Sequence, residues 1–78
     1  MANRFIAQYA TEMLAVLTQA NGWIRHDEAT LRFKNRMFPR SVRTAGVVRL
    51  AEEALEFLVK SGKVVRQQGE RVRTYRVK

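Results

Sequence analysis

The hydrophobic period of this chain changes at Gly62, and that change restricts what it can fold into. Before the glycine, "VVRLAEEALEFLVKSG" returns Val47, Leu50, Ala51, Ala54, Leu55 and Leu58 at spacings of three and four, with Phe57 widening the stripe. Arg49, Glu52, Glu53, Glu56 and Lys60 fall on the other side, and Glu56 to Lys60 is a favourable i,i+4 pair. That is the period of an amphipathic helix, and glycine is the residue that best stops one. After it, "KVVRQQGERVRTYRVK" is rich in strand formers, with "QQGE" as the turn between two strands. Tyr75 and Val77 are two apart and share one face; with Val65 they are expected to pack inward, while Thr74 and Arg76 point away. The tip, from Arg66 to Arg73, is expected to stay in solvent. A lone hairpin is barely stable in water, so this one must pack on helices.

The upstream sequence supplies those helices. "RFIAQYATEMLAVLTQA", residues 4–20, places Ile6, Tyr9, Met13, Leu17 and Ala20 on one stripe, widened by Phe5, Leu14 and Val16. "NG" at 21 and 22 ends it, since both residues tolerate left-handed backbone. "WIRH" then reads as a very short strand or extended link around Trp23 and Ile24, with Trp23 as a core anchor. Asp27 can cap a second helix, with Glu28 in its first turn. In "DEATLRFKNRMF", Leu31 with Phe33 or Met37 is expected to face inward and Arg32, Lys34 and Arg36 outward. Pro39 ends that segment. Ser41 or Thr44 can cap the third helix, which runs to about Ser61; Gly46 leaves open whether it starts before or after residue 46. The expected class is mainly α with a C-terminal β-hairpin (α+β), in one domain of 78 residues.

Charge points to a partner. Lys and Arg number 15 against 7 Asp and Glu, a formal +8. Residues 1–31 sum to −1 and residues 51–62 to −2, whereas residues 32–50 sum to +6 and residues 63–78 to +5. All the excess therefore lies in two blocks. Joined by the fold, they would form one positive face for a polyanion, nucleic acid before an acidic membrane surface.

The absence of cysteine excludes a disulfide framework and a thiolate metal site. His26, the single histidine, reads as a surface residue near a helix start, with no metal site around it. No apolar run approaches the roughly 18 residues of a membrane span, and no signal-peptide core is recognisable. These features lead to an expectation of a soluble, cytoplasmic, nucleoid-associated chain. The carboxylates form no acid–base pair, no glycine-rich phosphate loop is present and no nucleophile has a partner, so an enzyme is not expected. Neither a cofactor nor a small-molecule ligand is implied.

The order helix, short extended piece, helix, turn, helix, hairpin resembles the winged helix-turn-helix superfamily of DNA-binding domains. "ALEFLVKSGKVVRQQGERVRTYRV" carries most of the resemblance, which covers almost the whole chain. It implies a helix-turn-helix over residues 27–61 and a wing over residues 63–78. It also implies a third helix in the major groove, with the wing on a neighbouring groove or phosphates.

On that basis Arg40, Ser41, Arg43, Thr44 and Arg49 match the recognition helix and its start. Arg66, Gln67, Gln68, Arg71 and Arg73 match the wing, and Arg32, Lys34 and Arg36 the phosphate-contacting second helix. Arginine can grip phosphate or guanine in bidentate fashion, and glutamine can read adenine. The arginine-rich stretch from Arg36 to Gly46 is longer than the compact turn of many relatives, which leaves open which of Arg40, Arg43 and Arg49 face a groove.

The expected function is sequence-specific binding of double-stranded DNA, as a small transcriptional regulator or a replication or partition factor. The segment "LRFKNRMFPRSVRTAGVVRLAEEALEFLVKSGKV" is also similar to winged domains of plasmid and phage replication primases, which keeps replication beside transcription. The alternatives are a protein–protein interaction winged helix and an RNA-binding one. A homodimer would use the first helix or the N-terminus, or assemble only on DNA.

Overall fold

The structure is a computed structural model that describes residues 5–40 and 45–78. In chain order it runs α1 (Ile6–Ala20), β1 (Ile24–Arg25), α2 (His26–Met37), α3 (Ala45–Lys60), β2 (Val64–Gln68) and β3 (Arg73–Val77). The strands form one antiparallel sheet in the order β1-β3-β2. Three helices against a sheet that ends in a hairpin make an α+β, winged-helix-like layout.

Each helix gives one stripe to a shared core. Ala10, Met13, Val16 and Leu17 come from α1, Ala29 and Phe33 from α2, and Ala51, Ala54, Leu55 and Leu58 from α3. Ile24, Val64 and Tyr75 close it from the sheet. Phe33 meets Tyr9 edge-to-face, with ring centroids 6.3 Å apart. The buried hydroxyl of Thr30 donates to the Asp27 carbonyl at 2.9 Å, so burying it leaves no orphan donor.

The chain stops its helices as the sequence signals. Asn21 takes left-handed backbone after α1 (φ 52°), and its N–H donates to the Thr18 carbonyl. Gly62 after α3 sits at φ 78°, where a side chain would be strained. There Lys63 N–H bonds back to the Leu58 carbonyl and Gly62 N–H to the Val59 carbonyl, which turns the chain into β2. α2 stops at Met37, two residues before Pro39. The described part of α3 begins at Ala45 and runs through Gly46, so the helix does not wait until after the glycine.

Several inward assignments are corrected by geometry. Trp23 is not a core anchor: it is 45% exposed, and Ile24, one residue on, is buried instead. The short strand is Ile24–Arg25, and its alternation turns Ile24 in and Trp23 out. α2 begins at His26, directly from β1, so Arg25 holds the cap position with no side-chain bond. Asp27 therefore lies in the first turn, where it accepts the Glu28 N–H at 3.0 Å. Leu31 is exposed, because it lies about 200° around the helix from Phe33 and both cannot face one core. Phe5 and Phe57 are also exposed rather than part of the buried stripes. In β2 it is Val64, not Val65, that is buried, since Val64 pairs with Val77 on the inner face and Val65 with Arg76 on the outer.

Candidate nucleic-acid interface

The hairpin folds back along α3, and a match of repeat distances holds it there. From Glu56 to Glu52 the helix advances four residues, about 6 Å. From Arg66 to Gln68 the strand advances two residues, about 6.6 Å, and Gln68 pairs across the ladder with Arg73. Each glutamate thus meets an arginine of the sheet. Arg66 Nη1 donates to Glu56 Oε2 at 2.6 Å, and Arg73 Nη2 lies 3.9 Å from Glu52 Oε2. Glu56 is engaged by Arg66, and among the described residues it makes no ion pair with Lys60. The hairpin tip is consequently carried toward the N-terminal half of α3.

At that level one arginine of each basic block borders a shared cleft of about 280 Å³. Arg49 borders it from α3 and Arg73 from β3, but Glu52, Glu53 and Glu56 line it too. His26 and Tyr75 complete the wall. Glu52 Oε2 lies 3.1 Å from His26 Nε2, and a carboxylate only accepts, so Nε2 carries the proton between them. In a neutral ring Nδ1 then accepts from the Tyr75 hydroxyl, 3.3 Å away. His26 is accordingly a partly buried link between α2, α3 and β3, not the surface residue its sequence context suggests. Burial pushes the Tyr75 phenol above its ordinary pKa, a rise that the nearby Arg73 and Arg66 only partly offset. The hydrogen bond to Glu56, aided by its charge, raises that of Arg66.

The candidate contact residues fall into distinct settings. Arg32 pairs with Glu28 one turn earlier at 2.9 Å, and Arg36 reaches across to Glu12 of α1 at 2.6 Å. Lys34 donates to the Asn35 side chain at 3.3 Å. Arg66 and Arg73 face α3, on the same side of the hairpin as Tyr75. Gln67 lies on the opposite side, paired with Thr74. Gln68 turns its amide onto the Gly69 carbonyl at 2.9 Å. Arg40, Arg49 and Arg71 are exposed and have no carboxylate partner among the described residues. Ser41, Arg43 and Thr44 lie outside the described residues.

Glu52 and Glu56, which neutralise half of the hairpin's arginines, look in the sequence like an ordinary solvated helix face. The signal was present: Tyr75 faces in, so Arg73, two residues before it, must face the same way. Among the described residues no group of His, Asp and Glu is arranged to hold a metal, and no helix is long and apolar enough to cross a membrane. Compared with known proteins, the chain matches no family model, no curated protein and no solved structure.

Proposed function

We propose that this chain is a winged-helix module that binds double-stranded DNA, with the N-terminal half of α3 directed at the major groove and the hairpin as a wing beside it. The observation that carries this reading is the fold-back of the hairpin along α3. It draws Arg49 and Arg73 to the rim of one cleft, with Arg71 at the wing tip. One arginine from each basic block thereby lies at a shared rim, and the separation between α3 and the wing tip suits neighbouring stretches of a phosphate backbone.

In this reading Arg40, Arg49 and Arg71 are ready phosphate or base contacts; Arg43, outside the described residues, joins them only as the resemblance implies. Arg66 and Arg73 contribute only as phosphates compete with Glu56 and Glu52 for them. Arg32 and Arg36 stand in the same relation to Glu28 and Glu12. Sequence selectivity falls to whichever of Arg40, Arg43 and Arg49 enters a groove, and a transcriptional, replication or partition role follows from where the sites lie. A footprint over the encoding genome tests this: one site near the chain's own promoter favours a regulator, arrayed repeats near an origin favour replication or partition, and no protected site removes sequence-specific binding.

One observation favours a second reading. Glu52, Glu53 and Glu56 line the cleft between α3 and the wing, where their charge opposes a phosphate backbone. A protein-interaction module would tolerate them. The two readings separate on duplex binding at low salt, which the second does not require.

A further inference from the structure

The outer face of the sheet carries a cationic surface around one exposed indole, away from the cleft described above. Three cross-strand rows build it. In the middle row Val65 pairs with Arg76, and the Arg76 guanidinium lies 5.0 Å from the centroid of the Trp23 ring. In the next row Gln67 pairs with Thr74, and Thr74 with Arg25 of β1. Beyond the middle row, in the other direction, Lys78 N–H bonds to the Lys63 carbonyl and continues the ladder. Alternation puts both lysine side chains on this same outer face. Arg25, Arg76, Lys63 and Lys78 are exposed, and none makes an ion pair among the described residues, unlike the arginines that face α3.

A large aromatic half in solvent is stable there because Arg76 stacks on it, yet nearly half its area remains open. Trp23 also borders a cleft of about 390 Å³ whose wall includes Arg25, Asp27 and Glu28. Asp27 and Glu28 each have one oxygen taken, by the Glu28 N–H and by Arg32, and keep a second that can accept from the N–H edge of a base, while the cations around the indole suit its flanking phosphates.

We propose that this outer face is a second nucleic-acid site, one that stacks an unpaired base of a single strand on Trp23. A base in a duplex is already stacked on its neighbours and cannot lie on the indole, so the site selects single strands or locally opened ones. A flat indole, a stacked guanidinium and unpaired cations are the parts such recognition requires. A membrane surface fits less well, because among the described residues the apolar neighbour that the sheet rows give the indole, Val65, is half-buried and flanked by cations. The inference does not depend on duplex binding through α3: Trp23, Arg25, Arg76, Lys63 and Lys78 are not among the duplex contacts, and only Arg32, which lines the cleft beside Trp23, and Gln67, in the row with Thr74, are common to the two surfaces.

Trp23 is the single tryptophan, so its emission reports on the site directly. An oligothymidylate of about ten residues should quench it on binding, whereas a duplex of equal length should quench it little. Trp23→Ala, followed with a labelled oligothymidylate, should weaken single-strand binding by about 5- to 150-fold, as expected for loss of one stacked base. It should leave duplex affinity unchanged. Trp23→Phe keeps a ring and should retain most of the single-strand affinity with an unaltered melting temperature. Unquenched emission, or equal single-strand affinity of folded Trp23→Phe and wild type alongside an unaffected Trp23→Ala, would overturn the proposal. So would emission that responds to phosphatidylserine vesicles and not to the oligonucleotide.

Discussion

Arg66 and Glu56, ten residues apart and on either side of the Gly62 turn, meet at 2.6 Å. Together with Arg73 against Glu52, this contact lays the hairpin along α3 and withholds two arginines from the wing's free charge. Exposed pairs of this kind contribute only about 0.2–1 kcal/mol each, so a phosphate can displace the glutamates.

Removing the glutamates should therefore release the arginines. Glu52→Gln with Glu56→Gln should tighten duplex binding and steepen its salt dependence, by up to about 0.9 in log–log slope for each arginine that then neutralises a phosphate. Stability should fall by no more than about 2 kcal/mol for the two arginine pairs, since a glutamine oxygen in place of Glu52 can still accept from His26 Nε2. Binding isotherms at several salt concentrations, beside a thermal melt, check this; unchanged affinity would mean that neither arginine faces DNA.

Charge at the wing tip is separable from the core. Arg71→Ala with Arg73→Ala should lower stability by about 0.5 kcal/mol at Arg71 and at most about 1 kcal/mol at Arg73, which gives up its pair with Glu52, because neither side chain fills the core. Duplex affinity should drop and the salt slope become shallower by up to about 2 units. If the two arginines serve only to keep an edge hairpin from pairing with other chains, the variant will bind DNA normally and aggregate more readily. Melting temperature, solubility and DNA binding on this one variant distinguish the outcomes.

Packing differences among the phenylalanines give a third test. Phe33 is fully buried against Tyr9, so Phe33→Ala should cost about 3–5 kcal/mol, enough to unfold much of so small a domain. Phe57, 39% exposed, should cost far less on the same change. Denaturant titrations of the two variants should differ accordingly; similar losses would contradict the core described.

Burial holds the Tyr75 phenol above its usual value of about 10. The unfolded chain then ionises first, so this group's contribution to stability is intact below about pH 10 and declines as pH rises from there toward the folded value. Tyr75→Phe should be the less stable protein at neutral pH, having lost the bond to His26. Its disadvantage should narrow over the alkaline window that opens at about pH 10. Melting curves that run parallel for the two proteins across that window would contradict the assignment.

The helices were legible in the sequence because their stripes recur at three and four, and the hairpin because alternation follows a glycine stop. What failed was the direction of single residues. Trp23 and Phe57 are apolar, which says that burial would favour them but not that a partner surface exists on their side. Trp23 precedes a two-residue strand, too short for alternation to be read from sequence. The choice between Val64 and Val65 is a register choice, settled only by pairing with Val77 and Arg76. At the candidate site, the two basic blocks were visible as charge. That α3's own glutamates would sit between them depended on the fold-back of the hairpin, a tertiary relationship that local spacing does not carry.

The salt dependence of duplex binding tests the account most directly. Log affinity for a duplex plotted against log salt should fall steeply, at about −0.9 for each of several neutralised phosphates. Arg49→Ala, on the exposed side of α3, should weaken binding and make that line shallower by about one phosphate. Affinity that is absent at low salt, or that barely changes as salt rises, would contradict DNA binding by this fold and leave the protein-interaction reading in its place.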